Sequence, residues 1–156
     1  MSVFQSLLKF VNRDVNNQNE TKTVPVMIRI VSIGMSIYLL LMQIHLLDAK
    51  LPVLFAFDIA CIVMLVISFL LTYKSKNVPA VILQHVAVLL WIFAAILFLG
   101  WECGAQQFIT LLLVTLFTGS YMEWRIKIEY SVLLVMLHVG LHLYMVINAP
   151  YYEQTF

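Results

Sequence analysis

The stretch QHVAVLLWIFAAILFLGWECGAQQFITLLLVTLF, Gln84 to Phe117, is two apolar runs joined by a short polar hinge. Between His85 and Glu102 it carries no charge. The apolar residues run on without the strict alternation of a half-buried strand. Their length suits a helix crossing a hydrocarbon core about 30 Å thick. Gly100 and Gly104 bracket Trp101, Glu102 and Cys103. The stretch therefore reads as a membrane helix, a tight turn and a second helix running back.

The rest of the chain repeats that pattern. Of its 156 residues, 63% are hydrophobic and only 11% charged, with a mean hydropathy of +0.97. A soluble domain of this size has no interior able to hide so much apolar surface. The alternating segments of roughly ten residues that mark a membrane barrel are missing. The fold class expected is all-α, a polytopic bundle of five membrane helices. The spans run from about Val24 to Leu47, Pro52 to Tyr73, Pro79 to Leu99, Ala105 to Met122 and Ile126 to Ile147. Pro25, Pro52 and Pro79 suit first turns, where a missing N–H costs nothing. Connections are short, so successive helices are antiparallel neighbours.

Three regions follow. Residues 1–23 are a cytoplasmic segment: Val3, Phe4, Leu7, Leu8 and Val11 at helical spacing predict a short amphipathic helix on the membrane surface, then a polar linker. Residues 24–148 are the bundle, and residues 149–156 are an external tail after Pro150.

Basic residues orient the bundle. Lys9, Arg13, Lys22, Arg29, Lys74, Lys76, Arg125 and Lys127 fall on one side of a five-helix arrangement, and Lys50 alone on the other. The excess of Lys and Arg marks the cytoplasmic side. The expected location is a cell inner membrane, crossed several times, with the N-terminus cytoplasmic and the C-terminus external. The Gly100–Gly104 turn then faces outward.

Ionisable groups within a bilayer are costly and each needs a reason. His45 lies near the outer end of the first helix. Asp58 lies roughly 10 Å into the second, at 1.5 Å per residue. Glu102 and Trp101 belong to the outer turn. His138 and His142, four apart, share a helix face. These six residues, from four elements, are the candidate ligand-binding set. Singly, each histidine is read first as solvated or bonded to a neighbouring helix, and only the set as a ligand pocket. The HxxxH spacing suits a metal but is common by chance, so no metal is assigned. His85 stands apart on the other side of the bilayer, as a relay residue or as a side chain bonded to a backbone carbonyl. Cys61 and Cys103 lie at different depths and are not expected to pair.

Gln84 to Phe117 resembles the multi-helix membrane input region of bacterial diguanylate cyclases and related nucleotide cyclases. In that group a histidine-bearing helix leads to a G-W-x-x-G-F turn and a further apolar helix, and then to a basic cytoplasmic loop. Here His85, Gly100, Trp101 and Gly104 match, as does the basic EWRIK at Glu123–Lys127. Ala105 and Gln107 stand where aromatics are usual, and no G-G-D-E-F catalytic motif is present. The resemblance implies a sensor whose output domain lies beyond a sixth helix, outside this chain.

The function expected is thus a membrane sensory input module for an external small ligand. It would signal by helix rearrangement to a cytoplasmic output domain of cyclase type. A small proton or ion transporter and a non-catalytic partner subunit are the alternatives. An enzyme is the least expected class, because no nucleophile–base pair or phosphate loop is visible. No cofactor is called for. The partners expected are the lipid bilayer and the small external ligand, with a homodimer left open. Nothing in the charge points to nucleic acid.

Overall fold

A computed structural model describes residues 23–48, 51–118 and 123–148. They form five α-helices and one short 3₁₀ turn: α1 Thr23–Asp48, α2 Pro52–Tyr73, α3 Asn77–Leu99, the 3₁₀ turn Trp101–Cys103, α4 Gln107–Thr118 and α5 Trp124–Ile147. No strand occurs among the described residues. The amphipathic segment, the polar linker, Lys50 and the terminal tail lie outside them.

Four of the helices, α1, α2, α3 and α5, are long and apolar enough to cross a membrane. They point to a membrane-embedded bundle. The expected fourth span is described only in part, and its start differs. Gly104 is left-handed at φ 76° and ψ 3°, and Ala105 and Gln106 complete the turn before α4 begins at Gln107. The twelve residues of α4 are roughly 18 Å long at 1.5 Å each, well short of a hydrocarbon core. Residues 119–122, which the expected span also included, lie outside the described residues. Elsewhere the ends move only slightly. α3 starts at Asn77, so Pro79 sits within its first turn, where no backbone N–H is needed.

The end of α2 shows why the chain turns where it does. The N–H of Lys76 donates to the Leu71 carbonyl, and that of Ser75 to Thr72. These crossed bonds form a Schellman motif. Ser75 takes its left-handed position at φ 55°, where glycine is usual.

α3 is the hub and packs against α1, α2, α4, α5 and the 3₁₀ turn. The core lies at three levels along it. At the end where α2 meets α3, Val24, Ile28, Ala80 and Val81 pack together. In the middle, Met35, Leu39, Cys61, Leu65, Val88 and Ile92 belong to the largest cluster. At the end with the 3₁₀ turn, Leu46, Leu51, Leu54 and Ala94 close the bundle.

Polar bonds pin these helices. The Ser68 hydroxyl of α2 donates to the Ala80 carbonyl of α3 at 2.7 Å. Arg29 of α1 is fully buried. Its Nε donates to Thr72 Oγ1 at 2.8 Å, and its guanidinium lies 3.8 Å from the Tyr73 ring centroid. A planar, weakly hydrated cation tolerates such a site better than lysine does. By contrast, α5 buries only Lys127, Leu134 and Leu141. These are seven residues apart, one enclosed residue per two turns, with Tyr130, Leu137 and Met145 packed half-buried beside them, so α5 touches the bundle along a narrow seam.

Candidate functional site

The 3₁₀ turn exists because two glycines allow it. Gly100 adopts φ 90° and ψ 176°, a region essentially closed to residues with a Cβ. Gly104 closes the turn in the left-handed region. Between them Trp101 is half-buried and lies against α5. Its ring centroid is 5.1 Å from that of His138 and 4.7 Å from that of His142, both edge-on. The i, i+4 spacing puts both imidazoles on one face, and one indole covers both. The turn end of the bundle is thus joined to the last helix through three aromatic rings.

The rest of the candidate set is not drawn into this cluster. His45 and Glu102 are exposed and make no hydrogen bond to another described residue. No group of three or more His, Cys, Asp or Glu side chains that could hold a metal occurs among the described residues.

Asp58 forms a separate station. It is completely buried, although a carboxylate is among the side chains least often enclosed. The Trp91 indole and Tyr38 lie beside it, but neither carboxyl oxygen has a partner in hydrogen-bonding geometry. Tyr38, Trp91 and Phe108 form a closed trio, with centroids 5.4, 5.0 and 5.3 Å apart. They bring α1, α3 and α4 together, with Tyr38 and Trp91 next to the acid. None of the three belonged to the candidate set. The signal available in the sequence was Asp58 itself, an acid inside an apolar span, but its neighbours come from helices whose rotation the sequence does not specify.

His85 is a third station, nearer the other end. It is buried, and its Nδ1 lies 2.9 Å from the Val81 carbonyl. A carbonyl only accepts, so Nδ1 carries the proton. Nε2 lies 3.3 Å from Thr115 Oγ1 of α4. The Thr115 hydroxyl also donates to the Leu112 carbonyl at 2.8 Å. One hydroxyl proton thus faces two acceptors, and Leu112 holds the shorter bond. On its other side the imidazole meets the Tyr130 ring of α5, at 5.7 Å between centroids. The backbone-carbonyl reading of His85 describes half of this arrangement, and Thr115 and Tyr130 supply the rest.

Cys61 and Cys103 are free thiols. Cys61 is a core side chain. Burial pushes the Cys103 thiol up, while hydrogen bonding with the backbone of Ala105 and of Cys103 itself pulls the other way.

No protein-family model, curated protein or solved structure matches the chain.

Proposed function

We propose that this chain is a membrane sensory module. The bundle end that holds the 3₁₀ turn reads the cue, and α5 carries the response to the opposite end. The carrying observation is Trp101 packed edge-on against both His138 and His142. A small polar ligand that engages either histidine competes with this stacking and moves the turn relative to α5. The narrow seam of Lys127, Leu134 and Leu141 leaves few contacts to resist that movement. A ligand shifts such an equilibrium by its differential affinity for the two positions.

The basic side chains Arg29, Lys74, Lys76 and Arg125 support an orientation with the turn end outside and the response end in the cytoplasm. The resemblance of Gln84–Phe117 to cyclase input regions supports an output domain of that type beyond this chain. The test is a chimera that joins the bundle, through one added helix, to a cyclase reporter domain. Trp101→Ala and His142→Phe each change nucleotide output at least severalfold. Unchanged output in both variants overturns the reading.

One observation favours a second reading, proton translocation: the enclosed Asp58 carboxyl without a hydrogen-bond partner. An intramembrane acid is a natural proton carrier. Proteoliposomes loaded with a pH-sensitive dye separate the two. Proton flux that Asp58→Asn abolishes supports translocation, and a dye signal equal to that of empty liposomes removes it.

A further inference from the structure

A crevice of about 160 Å³ lies between α3, α4 and α5, lined by His85 and Tyr130 together with Val81, Ile82, Val86, Leu116 and Ile126. We propose that it binds a membrane-soluble molecule with a planar ring about the size of benzene that bears a hydroxyl group, a phenol-class ligand. It lies in the half of the bundle away from Trp101, so it stands whichever reading of that end is correct.

The size fits, because an apolar protein cavity of about 150 Å³ accommodates a benzene ring. The route of entry follows from the walls. Val81 and Leu116 form a buried floor, while Ile82, Val86 and Ile126 are exposed on the outer surface of the bundle. In a bilayer that surface faces hydrocarbon, so the crevice opens to lipid and its ligand arrives dissolved in the membrane.

The polar end of the ligand follows from His85. With Nδ1 committed to Val81, the neutral ring presents Nε2 as an acceptor. Its present partner, the Thr115 hydroxyl, has a shorter bond to Leu112. A ligand hydroxyl that donates to Nε2 completes the imidazole and leaves Thr115 with its carbonyl. At the α5 wall, the Tyr130 hydroxyl makes no hydrogen bond to another described residue and supplies a second polar contact. The imidazole and phenol rings, inclined at 60°, provide an aromatic wall for a planar ring. An acyl chain would fill the apolar floor but match neither polar group.

The test uses the full chain in phosphatidylcholine nanodiscs and fluorine NMR, with 4-fluorophenol and fluorobenzene as probes and empty nanodiscs as the partition control. 4-Fluorophenol binds saturably above the control, and fluorobenzene binds at least tenfold more weakly. His85→Phe lowers 4-fluorophenol affinity about tenfold, and Val86→Trp, which fills the mouth from the lipid side, abolishes saturable binding. Both variants are checked for native helicity and elution. If His85→Phe does not pass, Tyr130→Phe takes its place, with a loss of at least threefold expected. Equal binding of the two probes, affinity unchanged by these substitutions, or no saturation above empty nanodiscs each overturns the proposal.

Discussion

The indole of Trp101 lies 4.7 Å from the imidazole of His142, across the gap between the 3₁₀ turn and α5. The two residues are far apart in sequence, and the contact is one of few that hold α5 in place. Edge-to-face aromatic pairs contribute about 0.5–1.5 kcal/mol beyond the area they cover. Trp101→Ala is therefore expected to destabilise the protein by about 1–3 kcal/mol, with Trp101→Phe at the low end. Thermal unfolding in detergent reads the loss. Hydrogen exchange along Leu134–Val146 separates a local effect from a global one, because release of α5 accelerates exchange there first.

The same turn makes a prediction about backbone. Gly100→Ala forces a Cβ into a conformation that costs about 1–3 kcal/mol. Gly104 has open space around the position of a Cβ, so Gly104→Ala pays only the left-handed penalty, roughly 1–2 kcal/mol. Gly104→Asn recovers part of that, since asparagine tolerates the left-handed region. Denaturant titration of the three variants ranks them. A Gly100→Ala variant as stable as the parent contradicts the geometry of the turn.

At the other end, Arg29 and Tyr73 form a buried cation–π pair. Desolvated pairs of this kind are worth about 2 kcal/mol. A double-mutant cycle with Arg29→Met and Tyr73→Leu is expected to return a coupling of about 1–2 kcal/mol. Arg29→Lys keeps only part of it, because an ammonium attracts the ring but cannot stack on it as a planar guanidinium does. Thermal unfolding of the four proteins measures the coupling.

Cys103 carries the pH-dependent prediction. Its thiol is pushed above the usual range by burial, and the thiolate is the reacting form. A raised pKa means less thiolate at neutral pH. Maleimide labelling of Cys103 is therefore slower near pH 7.5 than that of an exposed thiol, and it climbs only as pH rises through the elevated pKa. Mass spectrometry of the labelled peptides follows it apart from Cys61, which the core encloses. Labelling at the free-thiol rate at pH 7.5 counts against this burial.

Much of the fold was legible because it rests on local rules. Apolar length marked α1, α2, α3 and α5, and prolines marked three starts. The paired glycines marked the 3₁₀ turn. The start of α4 was less legible, because Ala105 and Gln106 carry no helix breaker while the backbone is still turning. The Schellman end of α2 was hidden by Ser75, which occupies a position where glycine would have announced it.

The candidate site was legible residue by residue but not as a set. Helical spacing alone put His138 and His142 on one face, and the turn reading placed Trp101 at the same end of the bundle as His142. Which residue would meet which was a matter of helix rotation. The structure turns Trp101 onto the histidine pair and leaves His45 and Glu102 exposed. It encloses Asp58 beside Tyr38 and Trp91, residues from two other helices.

By itself, the sequence determined that this is an all-helical, membrane-type chain, where its principal turns fall and which end is basic. Those properties follow from hydropathy, backbone conformation and charge, which act within a few residues. Only the tertiary structure decided that α3 is the hub and that α5 is held by a narrow seam. It also decided that the polar groups divide into three stations around Trp101, Asp58 and His85. Those outcomes depend on how side chains from distant helices interlock, and periodicity within one helix does not specify its partner's rotation.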